Sequence, residues 1–363
     1  MNKGGFKIRH YLEPLAFFVP RKSVYYIIAT TLLVAVFAST FFLKIHIPKT
    51  IERNLPLLLK GYCPSCRLDL GRVSLRLFPL KVVLNNPTFI MGDKTTTEID
   101  ARVAQVIARI SLLKLIYGHI HFKYINIDSP DVKITEGDID TPSFASRAAR
   151  VEKSWWTASS AEQINAVQGA FMYIREHKKR VATLSLQNID ADIGAWGTTA
   201  GYRIKTTHAK ATGLLEKSGR FVLDVATPLF SDTLQVDVTL RIDDQNLAGI
   251  NQFFENNDGV KLKGTLVNGQ SLMAIRGPTL RGWVRVKYFG LGMNFEKTRE
   301  RKAISAFFSN LVKSVQLISG NMDKPSQDRK EHATLQRKSD ESIIQFVLRG
   351  MQNAAFQIIM RFS

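Results

Sequence analysis

A chain of 363 residues that is 45% hydrophobic and 22% charged is long and apolar enough to bury one large core or two ordinary ones. Its formal net charge of +19 favours an anionic partner. The cations are dispersed through strand-like segments, which argues against a nucleic-acid-binding tract.

Residues 1–22 carry Lys3, Lys7, Arg9, Arg21 and Lys22, and from Ser23 to Leu43 no charged residue occurs. As a helix, about twenty residues at 1.5 Å each span roughly 30 Å, the thickness of a bilayer's hydrocarbon core. Lys44 and His46 bound the run on its far side, and Tyr25 and Tyr26 suit the headgroup layer. The run is longer than a leader peptide's apolar stretch and ends without a small-residue cleavage site. One transmembrane helix over 23–43 is expected, with 1–22 cytoplasmic and the bulk of the chain on the far side. In that setting anionic lipid is a better partner than nucleic acid.

Beyond the membrane run, 44–136 reads as a first β-module. Pro48–Lys60 is a short helix with Ile51, Leu55, Leu58 and Leu59 on one face and Gly61 as its stop. Cys63 and Cys66, the only cysteines, are too few for a zinc centre and lack the βαβ context of a redox motif. A small structural disulfide is the preferred reading. Val73–Leu77 and Lys81–Leu84 alternate as strands, and Asn85-Asn86-Pro87 is expected to turn the chain. Arg102–Leu112 places Ala104, Val106, Ala108, Ile110 and Leu112 on one face, and His119–Ile127 alternates through Ile120 and Phe122. Asp128-Ser129-Pro130 punctuates before Asp131–Ile134.

Residues 137–180 read as a linker followed by a helix. The linker carries Trp155 and Trp156. The helix over Ala161–Lys179 has Ile164, Val167, Phe171 and Ile174 at helical spacing. Residues 181–290 form a second β-module, with Leu184 and Leu186 in one strand and Leu234, Val236, Val238, Leu240 and Ile242 in the cleanest alternation of the chain. Residues 291–363 read as a C-terminal helical region, with helices over Lys302–Ile318 and Ser342–Arg361 and a polar stretch between them.

The fold class that follows is mainly β (α+β): a transmembrane helix, then a largely antiparallel sheet with one apolar and one polar face. The helices are few for so many strands. A strongly curved sheet whose apolar face forms a groove is expected, although a packed sandwich or barrel carries the same pattern. Candidate groove residues are Val106, Ala108, Ile110, Leu112, Ile120, Phe122, Leu184, Leu186, Val236, Val238 and Leu240. At about 4.8 Å per strand, a dozen strands make a trough of roughly 55–60 Å.

Several segments resemble the AsmA-like family of bacterial envelope proteins. They are the N-terminal anchor and short helix, Leu70–Pro79 ending in Phe-Pro, Asn85-Asn-Pro-Thr-Phe89, and above all the module Ala104–Ile134, a strand, a Leu-rich turn ending in Gly118, a strand and a Ser-Pro-Asp-Val step. The resemblance implies a single-pass inner-membrane protein facing the periplasm, with a β-groove related to those of bridge-like lipid-transfer proteins and a role in phospholipid traffic during outer-membrane biogenesis. Membrane phospholipid and envelope proteins are the implied partners. The alternative is a non-catalytic scaffold with a packed core that recruits partners through its loops.

No nucleophile elbow, phosphate-binding loop or metalloprotease motif occurs in a fitting context. His119 and His121 stand two apart without a third donor, so an exposed pair is expected rather than a metal site. No catalytic residue, metal or cofactor is assigned, and an enzyme is not expected.

Overall fold

The computed structural model describes residues 30–31, 33–34, 44–46, 48–57, 59–60, 63–77, 79–92, 97–117, 119–136, 159–177, 180–197, 205–228, 231, 233–295, 315–317, 330–338 and 341–362. The chain divides into two compact units, Met1–Ile47 and Pro48–Ser363. In the first, Thr30, Thr31, Leu33, Val34 and residues 44–46 are helical. The rest of the expected 23–43 helix lies outside the described residues, and among those described no helix is long and apolar enough to cross a membrane.

The second unit is mainly β and holds one large mixed sheet with few helices. Helix α1 (48–57 and 59–60) comes first. Strands β1 (Arg67–Asp69), β2 (Arg72–Arg76), β3 (Lys81–Asn85), β4 (Thr88–Gly92), β5 (Thr97–Arg102) and β6 (Gln105–Ile110) follow, then helix α2 (Leu112–Ile116), β7 (Ile120–Asp128) and β8 (Asp131–Glu136). Next come β9 (Ser159–Ala161), β10 (Ile164–His177), β11 (Arg180–Ile193), β12 (Trp196–Gly197), β13 (Thr207–Leu215), β14 (Gly219–Thr227) and β15 (Gln235–Asn246). A 3-10 turn (Leu247–Ile250) leads into α3 (Asn251–Asp258) and the long strands β16 (Val260–Arg276) and β17 (Thr279–Phe295). The chain ends with β18 (Val315–Leu317), β19 (Lys330–Gln336), α4 (Ile343–Ile359) and β20 (Met360–Phe362).

Neighbouring strands follow the order β2-β3-β6-β7-β10-β11-β13-β14-β15-β16-β17-β19, and β1-β4-β5-β8-β10 runs alongside its first part. These are not separate arms. β1–β2, β3–β4, β5–β6 and β7–β8 are each one strand kinked in the middle, since the two halves of each keep matching neighbours. Asn86 and Ser129 have φ of 55° and 47°, each followed by a proline that has no N–H to offer a ladder. Asn85-Asn86-Pro87 therefore kinks the chain rather than turning it back, which corrects the sequence expectation. The crease is hydrogen-bonded from strand to strand: Asn86 N–H to Ala104 O, Val103 N–H to Pro87 O, Ser129 N–H to Val167 O and Ala170 N–H to Pro130 O. β10 and β11 continue it as bulges at Gln168 (φ 55°) and Asn188 (φ 50°).

The crease keeps one face apolar. Leu84 and Phe89, Ile127 and Val132, and Ala166 and Phe171 lie five positions apart, and each pair falls on one face because the kink inserts a residue. Without the insertion an odd step would send the second side chain to the other face. The sheet is mixed: most pairings are antiparallel, and those of β10 with β7 and β8 and of β9 with β7 are parallel. Among the described residues it is not closed, with β2 and β19 as edges.

Other expectations are corrected. Ala161–Lys179 is not a helix; Ile164–His177 forms β10, bonded on both edges and joining the two β-modules into one sheet. The spacing of Ile164, Val167, Phe171 and Ile174 fits a helix, but the strand divides them: Ile164 and Phe171 share the face of Ala166, while Val167, opposite Asp128, is on the other and 46% exposed. Val260–Arg276 is one long strand. Gly264, with φ of 104°, bends it where an added Cβ would lie 2.5 Å from Gly290 O. Of the helix expected over Lys302–Ile318, Val315–Leu317 is a strand paired with β20, and the remainder lies outside the described residues. Part of the polar stretch before the last helix is edge strand β19. Trp155 and Trp156 lie outside the described residues.

Helix α4 packs on β16, β17 and β19, with Phe346 and Ala354 fully buried against Met273, Ile275 and Leu280. Helix α3 packs on β11 and β16. Arg349 holds α4 to the end of β19 through a two-point pair with Glu341 (2.6 and 2.7 Å) and a bond to Gln336 O (2.8 Å). Gly350 allows the close approach: an added Cβ would lie 2.8 Å from a Leu280 methyl and 3.5 Å from Met273 Sδ. Gly350→Val is expected to push α4 off the sheet and cost about 1–3 kcal/mol, read as a lowered melting temperature with strand content retained.

Candidate functional site: an apolar strip across one sheet face

One line of direct cross-strand neighbours runs Leu75, Val82, Ala108, Ile125, Ile164, Ile193, Ala209, Val225, Val238, Met273, Gly282, Ala333. No member is polar. Burial changes along it although chemistry does not. Val238, Met273 and Ala333 are 8%, 0% and 3% exposed and belong to the core cluster beneath α4. Ile125, Ile164, Ile193 and Ala209 are half-buried and belong to neither of the two buried apolar clusters. A second line, Leu84, Val106, Ile127, Ala166, Ala191, repeats the pattern beside it. The strip is bounded at β2 by α1, whose Glu52 Oε1 accepts the Val73 N–H at 2.8 Å. At the other end it is bounded by the packed core.

The opposite face of the same strands is polar. Gln105 donates to Asn85 Oδ1 (2.8 Å), Asn165 to Asn126 Oδ1 (3.3 Å) and Gln163 to Asp192 Oδ2 (2.8 Å).

The expected groove residues separate into groups. Val106, Ala108, Ile110, Ile120 and Phe122 lie in β6 and β7 outside both clusters, and Ala108 is buried while the others are half-buried. Leu184, Leu186, Val236, Val238 and Leu240 pack into the buried clusters beside α3 and α4. Leu112 is not in a strand; it begins α2 and is 53% exposed. Ile125, Ile164, Ile193 and Ala209 were missed, although the Val-Ile-Phe-rich alternation of β7 and β11 could have found two of them. Cys63 and Cys66 are joined by a disulfide.

Two polar clusters lie away from the strip. Glu136 on β8 is buried and accepts from Tyr173 Oη at 2.5 Å and from Gln345 Nε2 of α4. Burial, then the Glu136 charge, drives the Tyr173 hydroxyl far above its usual pKa, so it stays a donor. The cluster fixes the start of α4 to β8 and β10.

His121 is 1% exposed, contrary to the exposed pair expected with His119. Its Nε2 lies 2.7 Å from Glu162 Oε1 and its Nδ1 2.7 Å from Ser160 Oγ. A carboxylate only accepts, so Nε2–H donates to Glu162, while Nδ1 shares a hydrogen bond with the Ser160 hydroxyl. Both nitrogens are engaged in pinning β9 to β7, and no group of metal-binding side chains forms among the described residues. The His121 hydrogen bond holds the Glu162 carboxyl below its ordinary range. A depressed carboxyl adds stability above its unfolded pKa and loses it as pH falls through the folded one. Glu162→Gln is therefore expected to flatten the acid side of the melting-temperature profile below about pH 5. His121→Ala, which leaves the buried Ser160 hydroxyl without this partner, should cost about 1–3 kcal/mol near neutral pH by denaturant unfolding.

Comparison with known proteins gives no matching family model and no matching characterised protein.

Proposed function

We propose that the chain is anchored in a bacterial inner membrane by residues 23–43, faces the periplasm, and binds or moves glycerophospholipid by holding acyl chains on the apolar strip. The observation that carries this reading is the line from Val82 to Ala333, which stays apolar while passing from half-buried to fully packed. A soluble sheet with no use for that surface would place polar residues there.

Curvature supports a groove. Helix α3 packs on both β11 and β16. Four strand spacings separate them, about 19 Å at ~4.8 Å each, whereas a helix is about 10 Å across. A sheet bent round α3 and α4 turns its apolar face inward. The open part, from β3 to β13, covers five spacings or about 24 Å, longer than one leaflet's acyl layer of about 15 Å. Taking a chain of about 16 carbons into water costs about 12 kcal/mol, most of which an apolar trough avoids. The reading needs no cofactor and no chemistry at a side chain. The AsmA-like resemblance of Ala104–Ile134 agrees with it, since that module supplies β6, α2 and β7. The packed end around Met273 favours the alternative scaffold role, so the test must distinguish the ends.

The full chain, purified from membranes in mild detergent, is expected to carry phospholipid detectable by native mass spectrometry and extraction. Ile164→Asp should lower bound lipid at least about tenfold, because a carboxylate in an acyl site costs several kcal/mol, while the melting transition persists. Val238→Asp, in the packed core, should instead unfold the sheet. A folded wild-type chain without lipid, or undiminished lipid in Ile164→Asp, would contradict the reading.

A further inference from the structure

We infer that the sheet end formed by the β2–β3 and β6–β7 connections docks on the surface of a bilayer containing anionic phospholipid. Leu112, Leu113 and Tyr117 of the β6–β7 connection are 53%, 72% and 79% exposed. Single exposed apolar side chains are ordinary, but three large ones in one short connection are not. The β2–β3 connection lies directly beside it, for Ile110 N–H donates to Leu80 O at 3.0 Å and Lys81 stands opposite Arg109. Residues 76–81 and 109–119 contain Arg76, Lys81, Arg109 and Lys114 and no aspartate or glutamate. Beyond these segments, Lys114 and Lys123 both act on the Glu162 carboxyl.

Apolar side chains ringed by cations are what the headgroup layer selects: leucines and tyrosine enter the acyl boundary and lysines pair with phosphates. The charge decides the occupant, because an apolar protein surface supplies no anions. The position is apt as well. Ile110 and Phe122 are paired at the foot of this connection, and Ile110 is two residues from Ala108 of the apolar strip, so a tip in the membrane brings the strip's end to the lipid. That benefit rests on the lipid-binding reading; the docking itself does not.

The native cysteines are bonded to each other, so a single added cysteine can be labelled in the full chain. Leu113→Cys carries a polarity-sensitive fluorophore, and Thr239→Cys, exposed on mid-sheet β15, carries the same dye as control. The protein is reconstituted into phosphatidylcholine vesicles with and without phosphatidylglycerol, with lipids bearing a quencher on the acyl chain. The Leu113 label is expected to shift to the blue and be quenched, more so with phosphatidylglycerol, and the Thr239 label to do neither. Adding Lys114→Glu should reduce the membrane-inserted fraction by about fivefold or more, the effect of a charge near an anionic surface. Equal quenching at the two labels, or no response to phosphatidylglycerol and to Lys114→Glu, would overturn the docking. Because the readout does not depend on lipid in the strip, its failure would leave the lipid-copurification result standing, and the reverse.

Discussion

A sheet with one apolar face must hide that face from water, and among the described residues α3 and α4 are the helices whose side chains join its buried clusters. α3 and α4 cover the upper part of β10 and β11 and the whole end from β16 to β19. Their coverage stops where the lines of cross-strand neighbours do not. The half-buried isoleucines of β7, β10 and β11 are the remainder, and the lipid-binding reading comes from that shortfall. Each fully buried aliphatic side chain contributes about 1.5–3 kcal/mol, so leaving a row of them half-covered forgoes stability that a polar substitution on a solvent face would not.

The crease makes such an extended face possible. Strands spanning both halves of the sheet twist and drift if left regular. One added residue per strand, at Asn86, Ser129, Gln168 and Asn188, bends them together and returns the apolar side chains to the same side. The hydrogen bonds across it leave none of the quoted backbone groups idle, which is why residues with side chains can hold positive φ there. Buried Glu136, shared by Tyr173 and Gln345, then ties α4 back to β8 across the face.

Legibility followed the range of the interactions. The alternation of Leu234 to Ile242 is local, and β15 lies there. The helix over 343–359 was legible from Ile344, Val347, Leu348 and Met351 because helical spacing is also local. Ile164–His177 was misread because apolar side chains on both faces of the strand fall by position at helical spacing. Asn85-Asn86-Pro87 was misread because turn residues and kink residues are the same residues; only the partners of β3 and β4 distinguish them. For the site, the apolar face of β6 and β7 was readable, but not which part α3 and α4 cover. Val238 and Ile164 look alike in sequence, and only the position of α4, set partly by Gln345 reaching Glu136 across 209 positions, separates core from strip. His121 was read as exposed because its partners, Ser160 and Glu162, are 39 and 41 positions away.

The most direct test of an acyl-binding strip is photocrosslinking in intact cells. A benzophenone amino acid at Ile164 is expected to give a mass increase equal to one phospholipid, whereas the same group at Asn165, on the polar face one residue on, should give none. Equal lipid adducts at the two positions, or protein adducts alone at Ile164, would contradict a lipid-holding strip and favour a scaffold whose apolar face is covered by a partner.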